Sequence, residues 1–258
     1  MLKVQDLNFA YKKGGKNIFH NFSVEFQKGL NVILGPNGAG KSTLIKSIFG
    51  LLDYTGDILY GDCDIGNMAF EKKIEWMSYL PQMDLDISTL TVLEIVLLGR
   101  LPELKSKVSE EDLKIVMEVL RDLNIEELAG NVFNHLSGGQ KKLVFIAQTL
   151  VRNPKIILLD EPTNSLDLQK QLELCFLLKK LVKEKGIDII AILHDVNLAA
   201  RYADYIVILT EEGKLYDAGS ANKVICEKML RDVYGVIGKV YLDEEKKPVI
   251  SAIKSVRD

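Results

Sequence analysis

A glycine-rich loop between an apolar strand and a helix constrains this chain more than any other feature of its sequence. Residues 31–34 read as a strand, and the loop after them consists of Gly35, Pro36, Asn37, Gly38, Ala39, Gly40, Lys41, Ser42 and Thr43. The spacing fits G-x-x-x-x-G-K-[ST], in the strand-loop-helix context that a phosphate-binding loop requires. The alternative is an ordinary glycine turn before a helix, which the agreement of motif and context disfavours.

The residue types in this loop suit the phosphates of a nucleotide. Glycines let backbone N–H groups turn inward, and the following helix directs its positive end at an anion. Lys41 adds a mobile positive charge for the β- and γ-phosphates, and Ser42 offers its hydroxyl to Mg²⁺. The loop therefore predicts that a nucleoside triphosphate binds together with Mg²⁺.

A second chemical feature is an apolar strand that ends in two carboxylates. Residues 156–159 are all apolar and lead into Asp160 and Glu161, and open α/β sheets bind ligands at the carboxyl ends of their strands. We expect Asp160 to hold Mg²⁺, directly or through water, and Glu161 to polarise the attacking water as a general base. A helix-capping pair before Pro162 is the alternative interpretation.

The spacing of apolar residues predicts an α/β fold. Alternating runs that read as strands occur at residues 2–9, 18–26, 30–34 and 57–60. Helical spacing begins at Thr91, and again after a Ser109 cap that has Asp112 three residues on. After Pro154, strands and helices alternate, and the runs at 156–159 and 187–193 are apolar nearly throughout, which is typical of parallel strands covered on both faces.

This pattern predicts one domain over residues 1–258. We expect an α/β core at about residues 1–83 and 153–258, interrupted by a helical subdomain at about residues 84–152, where the helical spacing is found.

Bulk properties argue against several classes of protein. The chain has 36 acidic and 33 basic residues, so no strong positive field attracts nucleic acid or an anionic bilayer. Residues 1–15 contain no apolar leader, and the apolar runs are much shorter than a membrane span, so we expect the chain to stay inside the cell. Cys63, Cys175 and Cys226 lack C-x-x-C spacing, which predicts reduced thiols rather than a zinc site or disulfides.

Residues 136–140 read LSGGQ, after the predicted helical insertion and shortly before the acidic strand. With the phosphate loop and the acidic strand, this signature makes the chain resemble the ABC ATPase family over nearly its whole length. The resemblance implies a P-loop NTPase (RecA-like) core of the α/β class, with an antiparallel β subdomain and an inserted α-helical subdomain. It also implies an ATPase that uses ATP and Mg²⁺.

The signature implies a second copy of the chain. Its loop is again an anion nest at a helix start, yet the chain already has one phosphate loop. In the family, the signature of one subunit, here Ser137, Gly138, Gly139 and Gln140, closes over ATP that the partner's phosphate loop holds. The resemblance therefore implies an ATP-dependent, head-to-tail homodimer with two nucleotides at its interface.

Two further residues match catalytic positions of the family. Gln82 resembles the glutamine that touches Mg²⁺ and the attacking water and senses the membrane partner; the alternative is a solvated loop residue. His194, directly after the apolar run 187–193, resembles the switch histidine that contacts the γ-phosphate. A lone histidine is otherwise more often structural.

Two more positions match binding features of the family. Asp167, at the end of the run 165–167, resembles the loop that couples the two sites across the dimer, although it could also simply cap the next helix. Tyr11, after the first strand, resembles the aromatic residue that stacks on adenine. A tyrosine on an edge strand is the alternative interpretation.

Three segments, at residues 93–104, 194–209 and 229–236, resemble those of importer ATPases for ferric siderophores, haem or cobalamin. This resemblance implies two membrane-spanning permease subunits, an extracytoplasmic substrate-binding protein that acts indirectly, and a peripheral position on the cytoplasmic face of the membrane. It implies no nucleic-acid partner. One departure is the run 141–143, Lys-Lys-Leu, where many relatives are richer in arginine.

Other functions remain as alternatives. ABC ATPases that act on nucleic acid or ribosomes usually have paired cassettes or long coiled coils, and this sequence has one cassette and no heptads. A P-loop kinase or GTPase acting alone would not need LSGGQ. Only the importer-like segments weigh against an exporter or a lipoprotein-release ATPase.

Overall fold

The computed structural model describes residues 1–12, 15, 17–82, 89–104 and 107–257 of the chain. In chain order its elements are β1 (Leu2–Phe9), β2 (Phe19–Phe26), β3 (Leu30–Leu34), α1 (Lys41–Phe49), β4 (Thr55–Tyr60), β5 (Cys63–Asp64), α2 (Phe70–Trp76), β6 (Met77–Leu80), α3 (Val92–Leu98), α4 (Glu110–Asp122), two 3₁₀ turns (Glu126–Leu128 and Phe133–His135), α5 (Gly138–Leu150), β7 (Ile156–Leu159), α6 (Leu168–Lys185), β8 (Asp188–Ile192), α7 (Val196–Tyr202), β9 (Tyr205–Leu209), β10 (Leu215–Gly219), α8 (Ala221–Val224), α9 (Glu227–Tyr234), β11 (Val236–Leu242) and β12 (Pro248–Ser255). This alternation is the α/β arrangement that the sequence predicts.

The central sheet is built from apolar strands and has the order β10-β9-β3-β8-β7-β6 within the described ranges. The strands from β9 to β6 pair in parallel, as predicted, whereas β10 runs antiparallel to β9, which the sequence did not predict. Every residue of β3, β7 and β8 is buried because both faces of the sheet are covered.

The direction of these strands places the chemistry at one edge. The carboxyl ends of β3, β6, β7 and β8 lie side by side, with Leu80 opposite Leu159 and Ile33 opposite Ile192. The phosphate loop follows β3, and Gln82, Asp160 and His194 follow the other three strands.

A second sheet is antiparallel, with the order β2-β1-β4-β5, as the predicted β subdomain requires. Its buried side chains Phe19 and Phe26 share one apolar cluster with Leu44 and Ile48 of α1 and with Leu158 of the central sheet. Burying each such side chain contributes about 1.5 to 3 kcal/mol. This packing encloses α1 and so fixes the phosphate loop at its amino end.

Between β6 and β7 the described regular elements are helices, joined by turns and loops, and an isolated bridge links Thr91 and Val132. Each of α3, α4 and α5 begins with a capping box, and the Ser109–Asp112 pair is the one predicted from sequence. The predicted boundary at residues 83 and 84 falls outside the described residues, and the division of the chain at 84–152 stays a prediction.

The carboxyl-terminal part is a hairpin, β11–β12, that the sequence did not predict. Asn197 of α7 joins it to the core, because its Nδ2 donates to the Ile250 carbonyl at 3.3 Å and its Oδ1 accepts from the Ile250 N–H at 2.7 Å. Among the described residues, no helix is long and apolar enough to span a membrane.

Candidate functional site

The phosphate loop has the backbone that its glycines predict. Gly35 has φ 149°, and a Cβ there would lie 2.7 Å from the Leu209 carbonyl oxygen. Gly40 has φ 87° and precedes α1; a Cβ there would lie 2.8 Å from Ile18 Cγ2 and 2.9 Å from Phe19 Cζ, and no side chain caps the start of that helix. The loop therefore presents open N–H groups and the positive end of a helix to the adjoining cleft.

Lys41 lies against its own loop rather than in solvent. The residue is 5% exposed, and Nζ donates to the carbonyl oxygens of Gly35 at 2.7 Å and Pro36 at 2.8 Å. Burial lowers the pKa of the Lys41 ammonium, while the neighbouring carboxylates of Glu161 and Asp160 act in the opposite direction. The Lys41 ammonium, which the sequence predicts to be a mobile charge, is thus hydrogen-bonded to two carbonyl groups. A bound phosphate could replace them as its partners.

Ser42 and Asp160 meet beneath the loop. The Ser42 hydroxyl donates to Asp160 Oδ1 at 2.9 Å, and the Asp160 carboxylate also accepts a 3.4 Å bond from the Tyr79 hydroxyl; the residue is 2% exposed. Burial raises the pKa of the Asp160 carboxyl, although the Ser42 hydrogen bond opposes that change. A buried carboxylate beside a hydroxyl is a pair of hard oxygen ligands, which fits Mg²⁺.

Glu161 follows Asp160 with a backbone φ of 53°, an uncommon value for a residue that has a Cβ. Its carboxylate points into the cleft and is held by side chains from the ends of two other strands. His194 Nε2 lies 2.6 Å from Glu161 Oε1, and Gln82 Nε2 donates to Glu161 Oε2 at 3.0 Å. The structure thus brings together three residues that are 112 positions apart at the extremes, from 82 to 194.

Tyr11 also lines the cleft, next to Thr43 of α1. Its side chain is 63% exposed, its hydroxyl shares a 2.9 Å hydrogen bond with Thr43 Oγ1, and its ring meets Phe9 edge-on at 4.9 Å. The ring is therefore fixed at its rim while much of its surface is open to a flat ligand.

These groups line one cleft of about 810 Å³, large enough for a nucleotide. Its lining comprises Tyr11, Ile18, Asn37, Gly38, Gly40, Lys41, Ser42, Thr43, Gln82, Glu161, Asn164 and His194. Gly35, Pro36 and Ala39 shape the loop without lining the cleft, and Asp160 lies behind Ser42.

Sequence reasoning missed Ile18 and Asn164. Ile18 begins the alternating run at 18–26, close after Tyr11, and Asn164 lies between Glu161 and Asp167, two residues already singled out. Proximity to those residues was the only signal that the sequence offered for either.

The signature lies elsewhere. Ser137 caps α5 in a reciprocal capping box with Gln140, and Gly139 and Gln140 line a separate cavity of about 430 Å³ beside Leu166 and Lys170. Gly138 follows the Ser137 cap as the first residue of α5. The signature therefore does not line the cleft that holds the phosphate loop of its own chain.

Asp167 is also outside the cleft. Its carboxylate accepts a 2.9 Å hydrogen bond from the Lys170 N–H and caps α6. The capping interpretation thus describes the single chain, and a coupling role across a dimer stays a prediction.

Known proteins match this chain over the region that contains these motifs. The sequence model of a family described as ABC transporter matches residues 19–164. An uncharacterized ABC transporter ATP-binding protein of Methanocaldococcus jannaschii is 42% identical over 238 residues, which is 92% of both chains. The petrobactin import ATP-binding protein of Bacillus subtilis is 34% identical over 236 residues, 91% of this chain and 92% of the relative.

The fold also matches solved structures. A chain from an inward-facing transporter assigned to the metal-chelate type superposes with a TM-score of 0.84 at 26% identity, over 98% of this chain and 97% of that one.

Proposed function

Because the chain belongs to the ABC transporter family, as an ATP-binding subunit and an ATPase, we propose that it powers uptake of a metal chelate of the ferric-siderophore, haem or cobalamin type. Similarity to a petrobactin import protein and to a metal-chelate type transporter supports this class of cargo and the import direction. The importer-like segments at 93–104, 194–209 and 229–236 support the same assignment.

The observation that carries the ATP-hydrolysing part of the proposal is the position of Glu161, whose carboxylate shares one cleft with the phosphate loop. The ATP phosphates would bind the open N–H groups of the loop, and Lys41 would leave the Gly35 and Pro36 carbonyls to contact the β- and γ-phosphates. Glu161 would accept a proton from the attacking water, while His194 contacts the γ-phosphate. Tyr11 would stack on the adenine ring.

Ser42, Asp160 and Gln82 are the residues that would hold Mg²⁺ in this site. The ion supplies positive charge against the phosphate oxygens, and it would offset the burial that raises the pKa of the Asp160 carboxyl. Gln82 would then exchange its present bond to Glu161 for contacts with the ion and the water.

A second copy of the chain would complete each site. The signature residues Ser137, Gly138, Gly139 and Gln140 cap a helix away from their own phosphate loop. In a head-to-tail pair they would face the γ-phosphate held by the partner, and Asp167 would lie at the shared interface. The pair would dock beneath two permease subunits on the cytoplasmic face of the membrane, with an extracytoplasmic binding protein delivering the cargo and no nucleic acid involved.

The test is ATP hydrolysis by the chain reconstituted with its permease subunits in lipid vesicles. We expect turnover to rise when the binding protein carries a ferric siderophore, haem or cobalamin, and cargo to move toward the side that carries the ATPase. Glu161→Gln should lower turnover about 10²- to 10⁴-fold, the usual worth of a general base. Cargo movement away from the ATPase side would instead assign the chain to an exporter.

A further inference from the structure

Asn164 lies in the wall of the nucleotide cleft, between the acidic strand and the helix that Asp167 caps. Both polar atoms of its side-chain amide are hydrogen-bonded. Nδ2 donates to Glu161 Oε2 at 3.3 Å, and Oδ1 accepts from the Ser165 N–H at 3.0 Å. One side chain therefore connects the Glu161 carboxylate to the loop that leads to Asp167.

That loop needs the support that Asn164 gives. Ser165 has φ 62°, in the left-handed region that is unfavourable for a residue with a Cβ. The Asn164 N–H also donates to the Glu161 carbonyl at 3.1 Å, which closes a tight turn after the strand. A displacement of Ser165 would move the Asn164 amide, because the Ser165 N–H is hydrogen-bonded to Asn164 Oδ1.

Asn164 differs from the other two partners of Glu161. His194 Nε2 at 2.6 Å and Gln82 Nε2 at 3.0 Å also hold the carboxylate, but in the proposed reaction they turn to the γ-phosphate and to the ion and water. Asn164 has no such second task. It is therefore the donor that can stay on Glu161 when nucleotide is bound.

We propose that Asn164 is a positioning residue, which orients the Glu161 carboxylate toward the attacking water and links that orientation to the Asp167 loop. The inference rests on the proposed function of Glu161 as general base. A partner chain that contacts the Asp167 loop would act on Glu161 through this amide.

Two substitutions distinguish the positioning of Glu161 from a purely structural role of Asn164 in the turn. Asn164→Ser and Asn164→Asp both keep a side-chain oxygen that can accept from the Ser165 N–H, but neither keeps the donor to Glu161. An ionised aspartate has no donor, and the serine hydroxyl ends one bond short of the Nδ2 that donates to Glu161 at 3.3 Å. We expect both to lower kcat on the order of 10- to 100-fold, the range for losing a hydrogen bond to a charged group. The Kd for ATP should stay near that of the wild type. If both variants keep the wild-type kcat, Asn164 only shapes the turn and the proposal fails.

The Glu161→Gln background supplies an independent readout. There, Asn164→Ser should change the residual turnover little, because the group that it positions is gone, whereas general damage to the fold would lower turnover in either background. Asn21→Asp, an exposed site outside the cleft, is the control and should leave kcat unchanged.

The two proposals can fail separately. Near-normal turnover of Glu161→Gln alone would remove the general base, and the role of Asn164 with it. An inactive Glu161→Gln together with fully active Asn164 variants would overturn only the positioning role.

Discussion

Tyr11 shows at the scale of one residue how the cleft can hold a base. Its ring is exposed, yet Thr43 Oγ1 and Phe9 fix it at one edge. We expect Tyr11→Ala to weaken ATP binding by about 1 to 3 kcal/mol, the usual worth of stacking on a base. Calorimetric titration with a non-hydrolysable ATP analogue measures this change.

Tyr11→Phe is the matched control for that substitution. It keeps the ring and loses only the hydrogen bond to Thr43, so binding should remain within about 1 kcal/mol of the wild type. Equal affinities for Tyr11→Ala and the wild type would mean that the base binds elsewhere.

Some residues of the cleft could be predicted from the sequence and others could not. Lys41, Ser42 and Glu161 were predicted because a loop motif and a strand end fix their surroundings within a few positions. Ile18 and Asn164 were not, because neither belongs to a motif: Ile18 reaches the cleft through tertiary packing, and Asn164 reaches it through the turn that follows Glu161. Asn164 donates to Glu161 and is followed by Ser165 in the left-handed region, and no pattern of residue types predicts either feature.

At the scale of elements, one side chain of α7 joins the terminal hairpin β11–β12 to the core. Asn197→Ala removes two hydrogen bonds to the backbone of Ile250, each worth about 0.5 to 1.5 kcal/mol. We expect faster hydrogen exchange at amides of β12, with little change in exchange along β8 at the centre of the sheet.

Asn8→Ala provides the comparison, since Asn8 lies on β1, in a different sheet from the hairpin, and its side chain also makes two hydrogen bonds to the backbone. Unchanged exchange at the Ile250 amide in Asn197→Ala would show that apolar contacts alone hold the hairpin.

The same hairpin shows where prediction of elements from sequence ends. Strands β7 and β8 were predicted because strands covered on both faces are apolar throughout. In β11–β12, Val240 and Ile250 pair and pack inward while Tyr241 is 59% exposed, so the apolar residues do not mark one face. The direction of β10 was also unpredictable, because alternation of side chains is the same for parallel and antiparallel pairing.

At the scale of the whole molecule, the proposed pairing can be measured in solution. By light scattering, Glu161→Gln should be a dimer with MgATP and a monomer with MgADP or without nucleotide. Ser137→Arg added to that variant should abolish the dimer, because a large side chain would occupy the place of the partner's γ-phosphate at the start of α5.

Ser109→Arg is the control for that change, since Ser109 also caps a helix in a reciprocal capping box. Both substitutions remove a cap worth about 1 kcal/mol, but only the one at Ser137 should affect the dimer. A dimer that survives Ser137→Arg would contradict the shared site.

Because the phosphate loop and the signature helix of one chain do not line the same cleft, the rate of ATP hydrolysis by free chains should depend on their concentration. If each complete site is shared by two chains, the number of sites formed by free chains falls with the square of dilution. Permease subunits that each hold one chain would make this encounter intramolecular, at an effective concentration that short tethers set at about millimolar. The first effect of the membrane complex on its ATPase chains would then be to hold two of them close enough to form the shared sites.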